Sequence, residues 1–293
     1  MKKADFLLIV ILLVLMTSGL LSYIQSCSIK TSVQPKLYDS RTSVDVPVIM
    51  YHGIAPNGSS ENEYLISESR FESDLKWLKD NSYTTIFPSQ LVDYVKKNIK
   101  LPLKPVILSF DDGFYNNYLY AYPLLNKYNM KAVIALIGIE SDQTSDDIYR
   151  IPKTCNLSWG EVALMSQSGI IEFANHSYDL HTISKGRKGA DRKPGETQEE
   201  YRQTLLDDLG KNQEIIKTAT GYAPQVFAWP YGAYPIDGSS IPILQEIGFE
   251  VSFVSYQHTS TIKQGDPSTL FNMGRYLRIP AWDITNIIPD KQK

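Results

Sequence analysis

The stretch Val106-Ile107-Leu108-Ser109-Phe110-Asp111-Asp112-Gly113 decides how this chain is read. An apolar, β-prone run ends abruptly in two carboxylates and a glycine. A run of this length bounded by a turn residue predicts a buried strand. In α/β folds, ligands lie beyond the carboxyl ends of strands, so two acids at that spot point to chemistry rather than solubility. Neighbouring carboxylates repel and raise each other's pKa unless a cation is shared between them and the rest of the site. The other ligands must then come from other strand ends.

Strands and helices alternate on both sides of this stretch. Val46–Tyr51 reads as a first strand ending in His52-Gly53. Ser69 with Glu72 makes a capping-box pattern for a helix to about Asp80. Tyr83–Phe87 reads as a short strand, and Pro88 opens a second helix. Beyond Gly113, a helix is expected over Tyr118–Tyr128, a strand over Ala132–Ile137 and a polar loop over Ser141–Asn156. Ser158 with Glu161 caps the next helix, and Ile170–Ala174 is a strand. Lys185–Glu199 is charged and aperiodic, which predicts an exposed insertion before a long helix, Tyr201–Thr218. Val226–Trp229 is a strand, Ile241–Ile247 a helix closed by Gly248, and Phe249–Val254 and Leu277–Trp282 are the last strands. The alternation argues for βα units around a parallel sheet, in one catalytic-sized domain over residues 46–285.

Three of the four histidines fall just after predicted strands: His52, His176 and His181. His176 and His181 are five residues apart, so they diverge on a helix and point to opposite faces of a strand. They converge only where the backbone bends, in a loop. Two imidazoles and a carboxylate make a common open metal site with positions left for water and substrate. Other polar residues carry plainer readings. Asp179 reads as a turn aspartate, and Asp207 and Asp208 as the solvated face of the long helix. Trp229 and Tyr178 suit either burial or stacking on a sugar ring.

Ser109-Phe110-Asp111-Asp112-Gly113 resembles the first motif of the polysaccharide deacetylases, the NodB-homology domain of carbohydrate esterase family 4. His176-Ser177 to His181 resembles the second motif, with one residue more between the histidines than most members carry. That spacing is similar to the branch acting on poly-β-1,6-N-acetylglucosamine. Pro47–Gly53 and Phe227–Gly232 also look like that branch. The resemblance implies a distorted (β/α)7-type barrel with a parallel sheet. It implies that Asp112, His176 and His181 hold a divalent metal, zinc foremost, with cobalt or nickel as substitutes. It implies Asp111 as general base and the backbone N–H of Tyr231 as oxyanion donor. Two departures stand out. Ala228 occupies the third-motif position of the arginine that orients the base, and no histidine follows His258 to act as the acid. The branch places the acid near the first strand, which His52 matches. Arg278 is the candidate for the missing arginine.

The implied activity is removal of N-acetyl groups from N-acetylglucosamine units of a surface polysaccharide, foremost the β-1,6 polymer of biofilm. The same site would serve peptidoglycan, chitin oligomers or acetylated xylan, and a glycan-binding lipoprotein without catalysis is the alternative of a different class. The net charge of −3 gives no support for nucleic-acid binding. Lys2 and Lys3 followed by the apolar Phe6–Met16 read as an export leader, residues 1–26, with a polar tether over 27–45. Cys27 reads as the lipid-bearing residue of a lipoprotein. Retention of residues 6–24 as an anchor helix and simple secretion are the other outcomes. Each puts a monomeric body outside the cytoplasm, at the outer face of the membrane or free of it. Only Cys27 and Cys155 occur, so no disulfide framework supports the fold.

Overall fold

In this computed structural model, residues 41–146 and 155–288 are described. The leader, Cys27 and the tether up to residue 40 lie outside them. Among the described residues no helix is long and apolar enough to cross a membrane.

The predicted first strand divides at Pro47. Strand β1 (Ser43–Val46) begins inside the stretch read as tether, and β2 (Val48–Tyr51) enters the main sheet. Proline has no N–H to donate, so the ladder is interrupted there and the chain changes partners. Next come β3 (Gly53–Ala55) and β4 (Leu65–Ser67), which pair with each other, then β5 (Thr84–Thr85), β6 (Pro105–Phe110), β7 (Ala132–Leu136) and β8 (Ile171–Asn175). The hairpin β9 (Ile183–Ser184) and β10 (Arg187–Lys188) precedes β11 (Val226–Ala228), β12 (Val251–Phe253), β13 (Ser260–Lys263) and β14 (Tyr276–Leu277). The main sheet runs β12-β11-β8-β7-β6-β2-β14, with β5 added beside β6, and every pairing in it is parallel. It curls into an open barrel of the expected α/β kind. Between its edge strands, Phe253 bridges to Met273 on the segment leading into β14. Strand β1 lies apart, antiparallel to β13.

Both faces of the sheet are covered, as parallel sheets require. Val106, Leu108 and Phe110 of β6 pack in one apolar cluster, whereas Ile107 belongs to another. The period of two therefore carries Ile107, Ser109 and Asp111 along one face, so Asp111 continues the row that begins inside the sheet.

The helices are largely those expected, with instructive differences. The first, Glu68–Asp80, is preceded by Ser67 in an extended conformation rather than capped by Ser69. Glu72 instead accepts from Lys127 (2.7 Å) and Tyr128 (2.8 Å). The Ser158–Glu161 capping box forms as read. The stretch read as a polar loop begins inside a helix, Gly138–Asp146. There Asp142 accepts from Trp159 Nε1 and the Tyr178 hydroxyl, both at 2.8 Å, so tertiary bonding overrides weak local propensity.

At the starts of β8 and β11 lies a cleft of about 390 Å³ that contains Glu172. Burial raises the Glu172 pKa, against the lowering effect of hydrogen bonds from Ser89. A raised folded-state pKa gives stability that is complete below the unfolded pKa and is lost as pH rises through the folded one. Glu172→Gln is therefore expected to gain on the wild type as pH rises from about 4 to about 8. Urea denaturation at the two pH values checks this; an equal difference at both would refute it.

Candidate active site

Three strand ends carry the site, and each is bent by a non-glycine residue in the left-handed region: Asp112 (φ 67°), Ser177 (φ 75°) and Tyr231 (φ 57°). Each such residue costs about 1–3 kcal/mol and persists only where its surroundings enforce it. Gly113 shares the first bend at φ 67°, and a Cβ there would meet Leu136 Cδ2 at 2.6 Å. The bends point these strand ends to a common cleft of about 430 Å³, which His52, Asp111, Asp112, His176, His181 and Tyr231 line.

Asp112, His176 and His181 each offer one ligand atom, all within 4.8 Å of one another. Asp112 Oδ1 lies 3.5 Å from His176 Nε2 and 3.4 Å from His181 Nε2. Two ligands about 2.1 Å from one tetrahedral ion stand about 3.4 Å apart, so these spacings fit a shared cation. Asp112 Oδ1 is buried and has no hydrogen-bond partner among the described residues, as expected of an oxygen reserved for a metal. His176 Nδ1 is 2.7 Å from the Ala228 carbonyl. That bond requires the proton on Nδ1 and leaves the Nε2 lone pair facing Asp112. Burial alone would depress the His176 pKa, but the Asp111 and Asp112 carboxylates beside it raise it, which marks a point that attracts positive charge.

Asp111 is held by a different cation. Its carboxylate receives two parallel hydrogen bonds from Arg275, Nη1 to Oδ1 at 2.6 Å and Nη2 to Oδ2 at 2.8 Å. Arg275 is fully buried, and also donates to Ser109 Oγ (3.1 Å) and the Val254 carbonyl (3.2 Å). Burial would raise the Asp111 pKa, but the guanidinium and then His176 hold it well below the usual carboxylate range. This corrects the sequence expectation for Arg278. Its guanidinium pairs with Asp74 instead, at 2.8 and 3.1 Å, and the Tyr51 hydroxyl donates to the same carboxylate. The signal that distinguishes the two arginines is Gly274. A Cβ there would meet His258 Nδ1 at 2.2 Å and the Tyr256 carbonyl at 2.6 Å. The close approach goes with the bond from Arg275 N–H to the Tyr256 carbonyl at 3.0 Å, and the side chain reaches Ser109.

His52 follows β2 at the same end of the sheet, its ring edge-on to Tyr64 at 4.8 Å between centroids. Its Nδ1 is buried and unpartnered among the described residues. Burial lowers its pKa, although Asp111 and Asp112 pull the other way. Tyr231 is 40% exposed, stacks near His181 at 4.5 Å and donates its hydroxyl to the His181 carbonyl at 3.1 Å.

Much of the insertion is exposed, as expected, yet parts of it fold against the body. Arg187 is buried and pairs with Glu196, and the Ala190 carbonyl accepts from the buried Tyr201 hydroxyl at 2.8 Å. Its hairpin thereby brings Lys188 to the cleft. Trp229 is fully buried, and Tyr178 is held by Asp142 with Lys211 over its ring, so both take the structural rather than the sugar-stacking reading.

Residues 98–252 match the family model described as polysaccharide deacetylase. The chain belongs to the polysaccharide deacetylase family. The matched region contains Asp111, Asp112, His176, His181 and Tyr231; His52 and Arg275 lie outside it. The chain is 28% identical over 204 residues to the poly-β-1,6-N-acetyl-D-glucosamine N-deacetylase of Staphylococcus aureus (strain N315), covering 69% of this chain and 65% of the relative. It is 26% identical over 223 residues to the protein of the same name from Escherichia coli (strain K12), covering 70% of this chain. The chain thus spans only 33% of that relative's length. Among solved structures, a de-N-acetylase from Aggregatibacter actinomycetemcomitans superposes with a TM-score of 0.71 at 27% identity, over 84% of this chain and all of that one. IcaB from Ammonifex degensii gives 0.65 at 27% identity, over 81% of this chain and 93% of that one.

Proposed function

We propose that the chain is a metal-dependent N-deacetylase of poly-β-1,6-N-acetylglucosamine, working outside the cytoplasm on a lipid or helix anchor. One observation carries the catalytic reading: three metal-capable atoms converge beside a fourth group, Asp111, whose partner is an arginine. A site with a separate, ionised carboxylate next to a ligand triad has both a place for a cation and a proton acceptor. The names of the relatives support the polymer.

In this reading Asp112, His176 and His181 hold a divalent ion, zinc foremost, with cobalt or nickel able to replace it. When bound, the ion polarises the acetamide carbonyl and acidifies a water. Asp111 accepts the proton of the attacking water. Arg275 keeps it ionised and fixes the direction of its lone pairs, which is a bidentate task lysine cannot perform. The backbone N–H of Tyr231 meets the oxyanion that develops on the carbonyl. His52 donates a proton to the departing amine. Its lowered pKa makes the protonated ring a stronger acid. Water is consumed, and acetate and a free amine leave. Each turnover exposes a site for positive charge on the polymer, which changes its adhesion to anionic surfaces.

The test is acetate release by the purified, zinc-loaded protein from the β-1,6 polymer, peptidoglycan, chitin oligomers and acetylated xylan. Release from the first alone is expected. Release from peptidoglycan alone would replace the substrate, and zinc binding without any release would replace the enzyme with a binding protein.

A further inference from the structure

The long helix Gln198–Thr220 contributes to the site without touching it. Its aspartate at 208 accepts two backbone hydrogen bonds from the loop between the histidines: Tyr178 N–H to Oδ1 and Asp179 N–H to Oδ2, each 2.8 Å. One turn later, Asn212 Nδ2 reaches the Leu136 carbonyl (3.0 Å), Asn175 Oδ1 (3.0 Å) and the Ser177 carbonyl (2.9 Å). Lys211 places its ammonium 3.4 Å from the centre of the Tyr178 ring. Residues 208, 211 and 212 stand at i, i+3 and i+4, one stripe of the helix, and all three address the same short loop.

We propose that Asp208 is a positioning residue for the ligand set, its carboxylate clamping the bend that returns His181 to His176 and Asp112. The inference rests on the metal reading above. Its physical basis is the problem set by the spacing. Four residues separate the two histidines, and their Nε2 atoms nonetheless stand 3.5 and 3.4 Å from one oxygen. The stem is fixed by the sheet, where His176 N–H donates to Leu136 and Ser177 N–H to Asn175. The far half has no strand to lie on. Asp179 is exposed, and its N–H is held by the Asp208 carboxylate. A carboxylate offers a separate oxygen to each of two successive N–H groups, whereas an amide has one oxygen and a donor NH2 in the second place. Burial raises the Asp208 pKa, and the two N–H bonds from Asp179 and Tyr178 offset part of that rise. The neighbouring Asp207 is exposed and, among the described residues, accepts from Gln203 along its own helix, at 2.7 Å.

The experiment compares wild type, Asp208→Asn, Asp207→Asn and His181→Ala. It reads zinc stoichiometry and Kd against a competing chelator, the visible spectrum of the cobalt form, and the melting temperature of the metal-free protein. Asparagine keeps the shape but leaves one N–H without an acceptor. Asp208→Asn is expected to bind one zinc about 10–100-fold more weakly, as loss of an outer partner of a ligand does, with shifted cobalt bands. Asp207→Asn should match wild type, and His181→Ala should lose the site. A wild-type Kd and cobalt spectrum in Asp208→Asn would overturn the proposal while leaving the metal site standing. Absence of zinc binding by the wild type would overturn both. Amide exchange in the wild type tests the clamp without any variant: the exposed Asp179 N–H should exchange slowly, and exchange at the rate of a free loop would sink the idea.

Discussion

Replacing Arg275 with methionine is expected to cost about 3–5 kcal/mol of stability and to remove acetate release from whatever fraction folds. The stability term comes from Asp111. Its side chain is only 5% exposed, and without the guanidinium it is a buried charge facing a second carboxylate, Asp112. The activity term has the same origin, because an unpaired Asp111 takes up a proton and ceases to be a base. Arg275→Lys separates the two. One ammonium restores charge but not the paired contacts at 2.6 and 2.8 Å, so stability should recover in part while kcat stays at least about tenfold low. Arg278→Met is the control. It breaks an equally buried pair with Asp74, so it should destabilise by a similar amount, yet leave the kcat of folded protein within about threefold of wild type, as expected of a site away from the reacting atoms. Denaturant titration and initial rates of acetate release give both quantities. An Arg278→Met variant as inactive as Arg275→Met would reverse the assignment.

The two arginines also show where reading the sequence runs out. The parallel α/β fold, the carboxylate pair and the bent histidine loop are local: a strand, its end and a short loop carry each signal. Asp111, Asp112, His176 and His181 could be named because their spacing and flanking strands are printed in one dimension. The partner of Asp111 lies 164 residues away, and it follows a close backbone approach at Gly274 that no period reports. Arg278, three residues later, follows β14, where its N–H donates to the Met50 carbonyl and its guanidinium pairs with Asp74. The role of Asp208 is hidden in the sequence for a related reason. On helical periodicity it lies next to the exposed Asp207, and only the packing of the loop against the helix turns it from solvent to backbone N–H groups. The same holds for Arg187 and Ala190, which composition assigned to an exposed insertion and tertiary contact buries.

Asp111→Asn should lower acetate release by about 10²- to 10⁴-fold, the span expected for a general base, while zinc stoichiometry stays at one. The two neighbouring carboxylates divide the labour. Asp112 supplies the oxygen that faces both imidazoles at 3.4 and 3.5 Å, whereas both oxygens of Asp111 are engaged by Arg275. Asparagine at 111 therefore removes a proton acceptor without removing a ligand. Asparagine at 112 removes the anionic ligand and should abolish tight zinc binding and activity together. His52→Ala belongs with the first class: zinc retained, release lowered by about 10²-fold or more, because its ring is in the cleft but outside the triad. Since Asp111→Asn also leaves Arg275 buried without its counter-charge, the rate must be normalised to folded protein. With that correction, a near-wild-type rate in Asp111→Asn would move the base elsewhere in the cleft, and loss of zinc in Asp111→Asn would make Asp111 a ligand. Only the combination of a retained metal and a lost rate is compatible with a carboxylate that the fold has paired with arginine in order to keep it ionised and aimed.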